Sequence, residues 1–133
     1  MRLQLALNVR NIDEAICFCT EMFGTSPAKT KPGYANFVIE NPPLQLVLFE
    51  AASGVNFEHL NHLGVEVQSA AEVRSAASGI ETTGVDTAAC CFAEKTETWV
   101  ASPDNVCWEW YVKTGDTGQM EHIAVNTAGV CSG

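Results

Sequence analysis

The chain has 133 residues, 47% of them hydrophobic, and a formal net charge of −9. That length suits one compact domain, which buries roughly two-thirds of its unfolded surface without a covalent staple. The acidic balance, with no basic run to offset it, argues against a nucleic-acid groove or an anionic membrane surface as partner. No apolar stretch approaches the ~18 residues of a membrane span.

Met1-Arg2-Leu3-Gln4 resembles the start of a signal peptide, but Asn8, Arg10, Asn11, Asp13 and Glu14 interrupt any apolar core behind it. A cytoplasmic protein is therefore expected. Leu3-Gln4-Leu5-Ala6-Leu7-Asn8-Val9 alternates as a strand does. Asn11 or Asp13 can cap a helix in which Ile12, Ala15, Ile16, Cys19, Met22 and Phe23 recur on one face, and Gly24 ends it. A loop carrying Pro27, Lys29, Lys31, Pro32 and Gly33 follows. Tyr34-Ala35-Asn36-Phe37-Val38-Ile39 and Leu44-Gln45-Leu46-Val47-Leu48-Phe49 read as strands around an Asn41-Pro42-Pro43 turn.

The order then recurs. After a loop at residues 51–54, Asn61-His62-Leu63-Gly64-Val65-Glu66-Val67 reads as a strand. Ser69 with Glu72 three residues on is a capping-box pattern, and the helix behind it reaches Ser78-Gly79. Extended segments are expected near 82–87, 90–93, 98–101 and 107–112, with a turn at Ser102-Pro103-Asp104-Asn105. Strand, helix and strands thus occur twice, with Gln4 falling opposite His62. We read one domain over residues 1–114, made of module one (1–54) and module two (55–114) around a shared cleft, and a tail over 115–133.

Two kinds of chemistry stand out. Cys90 and Cys91 are adjacent, and neighbouring thiols close a disulfide only with strain. They can instead present two soft sulfurs to a thiophilic ion such as trivalent arsenic, although small buried cysteines in a strand would look the same. In the expected reducing compartment all six cysteines (Cys17, Cys19, Cys90, Cys91, Cys107 and Cys131) read as thiols rather than a disulfide framework. Cys19 is read as core and Cys107 as packing. Lys95, just beyond the pair, could lower a thiol pKa or hold an anionic substrate; a lone Lys near a turn is more often a solvated charge.

The second is Gln4, His62 and Glu109, each on the first or last strand of a module. Alternation puts Glu109 on the face opposite Trp108 and Trp110. A carboxylate buried there needs a cation, whereas one facing outward needs none. An imidazole, a carboxylate and an amide suit Fe(II), Zn(II), Mn(II) or Ni(II) with positions left open for substrate. His59 precedes the strand, and His122 lies in the expected tail.

With these residues in view the chain resembles the vicinal oxygen chelate superfamily of glyoxalases, bleomycin- and fosfomycin-resistance proteins and extradiol dioxygenases. Within it, the chain is most similar to the group of the cadmium-induced protein CadI and the ArsI arsenical lyases. The likeness rests on Leu5-Ala6-Leu7-Asn8-Val9, Lys31-Pro32-Gly33-Tyr34-Ala35-Asn36-Phe37, Pro42-Pro43-Leu44, Asn61-His62-Leu63-Gly64-Val65-Glu66-Val67, Cys90-Cys91-Phe92-Ala93, and Trp108-Glu109 with Tyr111. It implies an α+β fold of two βαβββ modules forming a cupped, incompletely closed mixed β-barrel with flanking helices. It also implies Fe(II) on His62, Glu109 and the first-strand position, with a trivalent organoarsenical on Cys90 and Cys91 and Cys131 as a further thiolate. The lyase-like members carry His on the first strand where this chain has Gln4, a weaker donor, as in CadI. A homodimer is implied as well.

Three functions compete. The first is oxidative cleavage of a carbon–arsenic bond, with Glu109 and His62 as the catalytic metal ligands. The second is capture of Cd(II) or arsenite without turnover. The third is a glyoxalase or resistance-type reaction on another small molecule, in which the cysteines are structural.

Overall fold

The computed structural model describes residues 1–90 and 93–116, and the side chains of 88–90, 93 and 116 lie outside that description. The elements are β1 (Arg2–Val9), α1 (Ile12–Phe23), β2 (Lys29–Lys31), β3 (Tyr34–Ile39), β4 (Leu44–Glu50), β5 (Leu60–Glu66), α2 (Ala70–Ser78), β6 (Asp86–Cys90), β7 (Ala93–Ala101) and β8 (Cys107–Asp116). This is βαβββ twice over, an α+β protein with an eight-stranded mixed sheet among the described residues. The described chain separates into two compact units, residues 2–61 and the residues from His62 onward together with Met1. No helix among the described residues is long and apolar enough to cross a membrane.

In the first unit the sheet order is β2-β3-β4-β1, with β1 parallel to β4 and the other pairs antiparallel. The side-chain period of two sorts each strand into two faces. Leu5, Leu7 and Val9 of β1 lie on the face of Ala35, Phe37, Ile39, Leu46 and Leu48, and α1 packs Ile12, Ala15, Ile16, Cys19 and Phe23 against it. Burial of Cys19 pushes its thiol pKa up. Asn11 caps α1 by accepting from the Glu14 N–H at 3.0 Å, and Gly24 closes it at φ 66°, a left-handed conformation that glycine adopts without steric cost. Lys29-Thr30-Lys31 is expected as loop, because it has no apolar residue to mark a strand. What makes it a strand is its ladder, Lys29 to Asn36 and Lys31 to Tyr34, closed by a turn with Gly33 at φ 71°.

In the second unit the order is β5-β8-β7-β6, with β5 parallel to β8. The capping box of α2 is present as read: Ser69 Oγ accepts from the Glu72 N–H, and Glu72 accepts from the Ser69 N–H. Val73 packs with Val65, Val67, Trp110 and Val112 on the helix-facing side. The extended segment expected near 98–101 is the end of β7, which runs unbroken from Ala93 through the charged stretch, with an irregularity in its pairing at Glu94/Lys95. The segment expected near 82–87 is strand only from Asp86, and of that expected near 90–93, Cys91 and Phe92 lie outside the described residues. The charges suggest a turn, but Lys95 and Glu97 are buried in the strand, where Lys95 donates across to Glu109 of β8. Paired with β7, β8 runs on to Asp116, into the stretch read as tail.

Candidate metal centre

The face of the second sheet away from α2 carries the site. Register places Gly64, Glu109 and Trp99 in one cross-strand row and Glu66, Tyr111 and Glu97 in the next. His62 lies two residues before Gly64, hence on the same face, and Lys95 two before Glu97. His62 is 1% exposed, Glu109 0% and Lys95 4%. Glu109 is therefore not the outward-facing carboxylate of a half-exposed strand, and Lys95 is not a solvated charge.

The two oxygens of Glu109 have different neighbours. Oε2 accepts from Lys95 Nζ at 2.9 Å, and the ammonium lies 4.8 Å from the centre of the Tyr111 ring. Oε1 faces His62 Nε2 at 3.5 Å and has no hydrogen bond among the described residues. The His62 ring meets Trp99 edge-on at 5.0 Å, which fixes its plane. Burial drives the Glu109 pKa up, but the Lys95 ammonium, a hydrogen bond with Glu97 and His62 together outweigh it and hold the carboxyl well below the usual range. Glu97 moves the other way, pushed up to about 9 by burial first and then by Glu109, against the opposing pull of Lys95 and Trp99. At neutral pH the row therefore holds an ammonium, a carboxylate and a neutral carboxylic acid.

Donor chemistry and geometry both fit a divalent metal. Two ligands about 2.1 Å from one tetrahedral ion stand about 3.4 Å apart, close to the 3.5 Å between His62 Nε2 and Glu109 Oε1. Among the described residues no three His, Cys, Asp or Glu side chains gather at metal-binding spacing. These two are thus an incomplete set that needs a donor of another type or a substrate. In the first unit, Gln4 is 5% exposed and its Oε1 has no hydrogen-bond partner among the described residues. It lies on the sheet face away from α1, as does Asn36, whose Nδ2 donates to Tyr34 Oη at 3.0 Å and whose Oδ1 is equally bare.

Cys90 is the last residue of β6, opposite Ala93. Cys91 and Cys131 lie outside the described residues, as does His122. Cys107 is buried and disulfide-bonded. The expectation of six free thiols is corrected there. Cys17 is a free, exposed thiol, Cys19 a free, buried one. His59 is exposed and packs edge-on against Phe57. The sequence reading did not single out Glu97, Trp99 or Tyr111 as neighbours of Glu109. The signal was there once residues 93–101 are read as one strand, since Lys95, Glu97 and Trp99 then alternate onto one face.

The profile of the Glyoxalase/Bleomycin resistance protein/Dioxygenase superfamily matches residues 3–90. A protein of Thermomonospora curvata named trivalent organoarsenical cleaving enzyme is 48% identical over 124 residues, covering 90% of this chain and 82% of its own. The cadmium-induced protein CadI of Mycobacterium bovis is 43% identical over 123 residues, covering 87% and 78%. Among solved structures, the Mn(II)-bound glyoxalase of Novosphingobium aromaticivorans superposes with a TM-score of 0.61 at 15% identity, covering 91% of this chain and 41% of that one. That last likeness is one of fold.

Proposed function

The chain belongs to the Glyoxalase/Bleomycin resistance protein/Dioxygenase superfamily, and from that premise we propose that it cleaves the carbon–arsenic bond of trivalent organoarsenicals. The observation that carries the proposal is the buried approach of His62 Nε2 to Glu109 Oε1, in a chain 48% identical to an enzyme named for that cleavage.

In this reading His62 and Glu109 hold a divalent ion. Gln4 is the further donor that the resemblance implies. Fe(II) is favoured over Zn(II), Ni(II) or Mn(II), because it supplies the one-electron chemistry toward O₂ that an oxidative cleavage needs. Once the disulfide of Cys107 is reduced, the thiolates of Cys90 and Cys91 bind arsenic, with Cys131 as a further sulfur, and so fix the carbon–arsenic bond in place. Lys95 offsets the charge of Glu109 and keeps it ionised. Burial of the row excludes the water that would weaken these contacts. With O₂ as the oxidant, methylarsenite gives inorganic arsenite and formaldehyde, so the cleaved carbon leaves oxidised. A cytoplasmic homodimer belongs to the same reading, on the resemblance.

A second reading is capture of Cd(II) or arsenite by the thiols without turnover. The amide at Gln4, a poorer donor than imidazole, favours it, as does the 43% identity to CadI. Fe(II) is loaded without air onto reduced protein, methylarsenite is added, air is admitted, and the arsenic species are separated by chromatography. Arsenite above the protein-free control supports cleavage. Methylarsenite that stays intact while co-eluting with the protein refutes cleavage and supports capture.

A further inference from the structure

We infer that Lys95 is a positioning residue that limits Glu109 to one-oxygen coordination of the metal. The inference rests on the metal reading of His62 and Glu109 above. Its basis is the unequal surroundings of the two oxygens of one carboxylate, to which Glu97 also hydrogen-bonds. Lys95 Nζ holds Oε2 at 2.9 Å, while Oε1 turns to His62 Nε2 at 3.5 Å. A carboxylate free at both oxygens can close on a cation in two-oxygen fashion and take up a second coordination position. Here the second oxygen is taken by a buried ammonium. Release would strip the ammonium of its counterion in a water-poor site, where no solvent replaces it.

The ammonium is itself held from two sides. The Tyr111 ring lies 4.8 Å beneath it. The pairing slips between Glu94 and Lys95 because β8 carries one extra residue there, Thr114, while β7 pairs regularly from Lys95 onward, so Lys95 keeps the side-chain phase of Glu97 and Trp99. Lys95 and Glu109 lie on neighbouring antiparallel strands, so the contact is set by the sheet and not by a mobile loop. The consequence is a coordination position kept open for substrate, which a catalytic metal requires. This use of an outer partner to aim a ligand is common at metal sites.

The test is infrared difference spectroscopy of the full chain with and without Fe(II), under nitrogen. The separation of the two carboxylate stretches widens when one oxygen binds a metal and narrows when both do. The Glu109 bands are assigned by their absence in Glu109→Gln. Wild type should show a widened separation, Lys95→Met a narrowed one, and Lys95→Arg, which keeps a cationic donor, the wild-type value. A narrowed separation in wild type overturns the inference even if Lys95→Met fails to fold. A widened separation that persists in Lys95→Met, with only its thermal stability lowered, overturns it too and leaves Lys95 a structural counterion. If Fe(II) changes no band that Glu109→Gln removes, the metal reading falls and the inference with it.

Discussion

His62 Nε2 and Glu109 Oε1 face one another across 3.5 Å from neighbouring parallel strands, while the other oxygen of the same carboxylate holds Lys95 at 2.9 Å. Neither carboxylate oxygen reaches water, for Glu109 is fully buried. An anion placed so deep is tolerated because a permanent cation already lies beside it. The site is thereby charged and dry before any metal arrives, which is the preorganisation that makes electrostatic effects large.

Removal of that anion should cost stability as well as metal. Glu109→Gln leaves the Lys95 ammonium buried without its counterion, and breaking such a pair costs about 3–5 kcal/mol. His62→Ala spares the ion pair, so its loss in urea denaturation should be the smaller one. Both should abolish Fe(II) uptake in equilibrium dialysis. A Glu109→Gln variant as stable as wild type would mean that the pair contributes no net stability.

The first sheet was legible because its strands bury one face against a helix, so the apolar residues alternate, and because Asn11 and Gly24 bracket α1 with the residues that caps require. Glu109 and His62 were legible as polar residues inside apolar runs. β7 was not, since Glu94-Lys95-Thr96-Glu97 has the composition of a turn. The inward ammonium of Lys95 is neutralised by a residue 14 positions away in the sequence, Glu109, Glu97 beside it is held protonated by burial and by that same carboxylate, and nothing local announces either effect. Likewise β2 has no core to mark it and exists only through its ladder with β3.

Cys90→Ser and Cys91→Ser should each remove tight binding of methylarsenite, read by co-elution after reduction with a phosphine. The exchange of sulfur for oxygen is small in volume, so the urea midpoint should move little. Retained binding in the double variant would make the pair structural and favour an activity on another substrate.

The helix caps offer a control confined to the fold. Asn11→Ala and Ser69→Ala each delete an acceptor for a helix N–H and should cost about 1 kcal/mol. Neither touches the row of Lys95, Glu97 and Glu109, so Fe(II) affinity should be unchanged. A change in affinity with either would show that the site depends on helix docking.

Glu97 gives the metal-free protein a pH dependence of definite sign. Its carboxyl is pushed up to about 9 in the folded chain from an ordinary 4.5. The folded state therefore binds the proton more tightly, and this contribution to stability is complete below pH 4.5 and lost as pH rises through about 9. Glu109, held below the usual range, acts in the opposite sense: its contribution is present above the ordinary carboxylate range and lost as pH falls through its lowered value. Stability should thus decline from pH 5 to pH 9 in wild type. Glu97→Gln carries no titrating group at that position and should show a flatter profile, lying above wild type at pH 9. Urea midpoints at pH 5, 7 and 9 with a chelator present decide it. Parallel profiles for the two proteins would mean that Glu97 is ionised in the folded chain and that a cation other than Lys95 accounts for it.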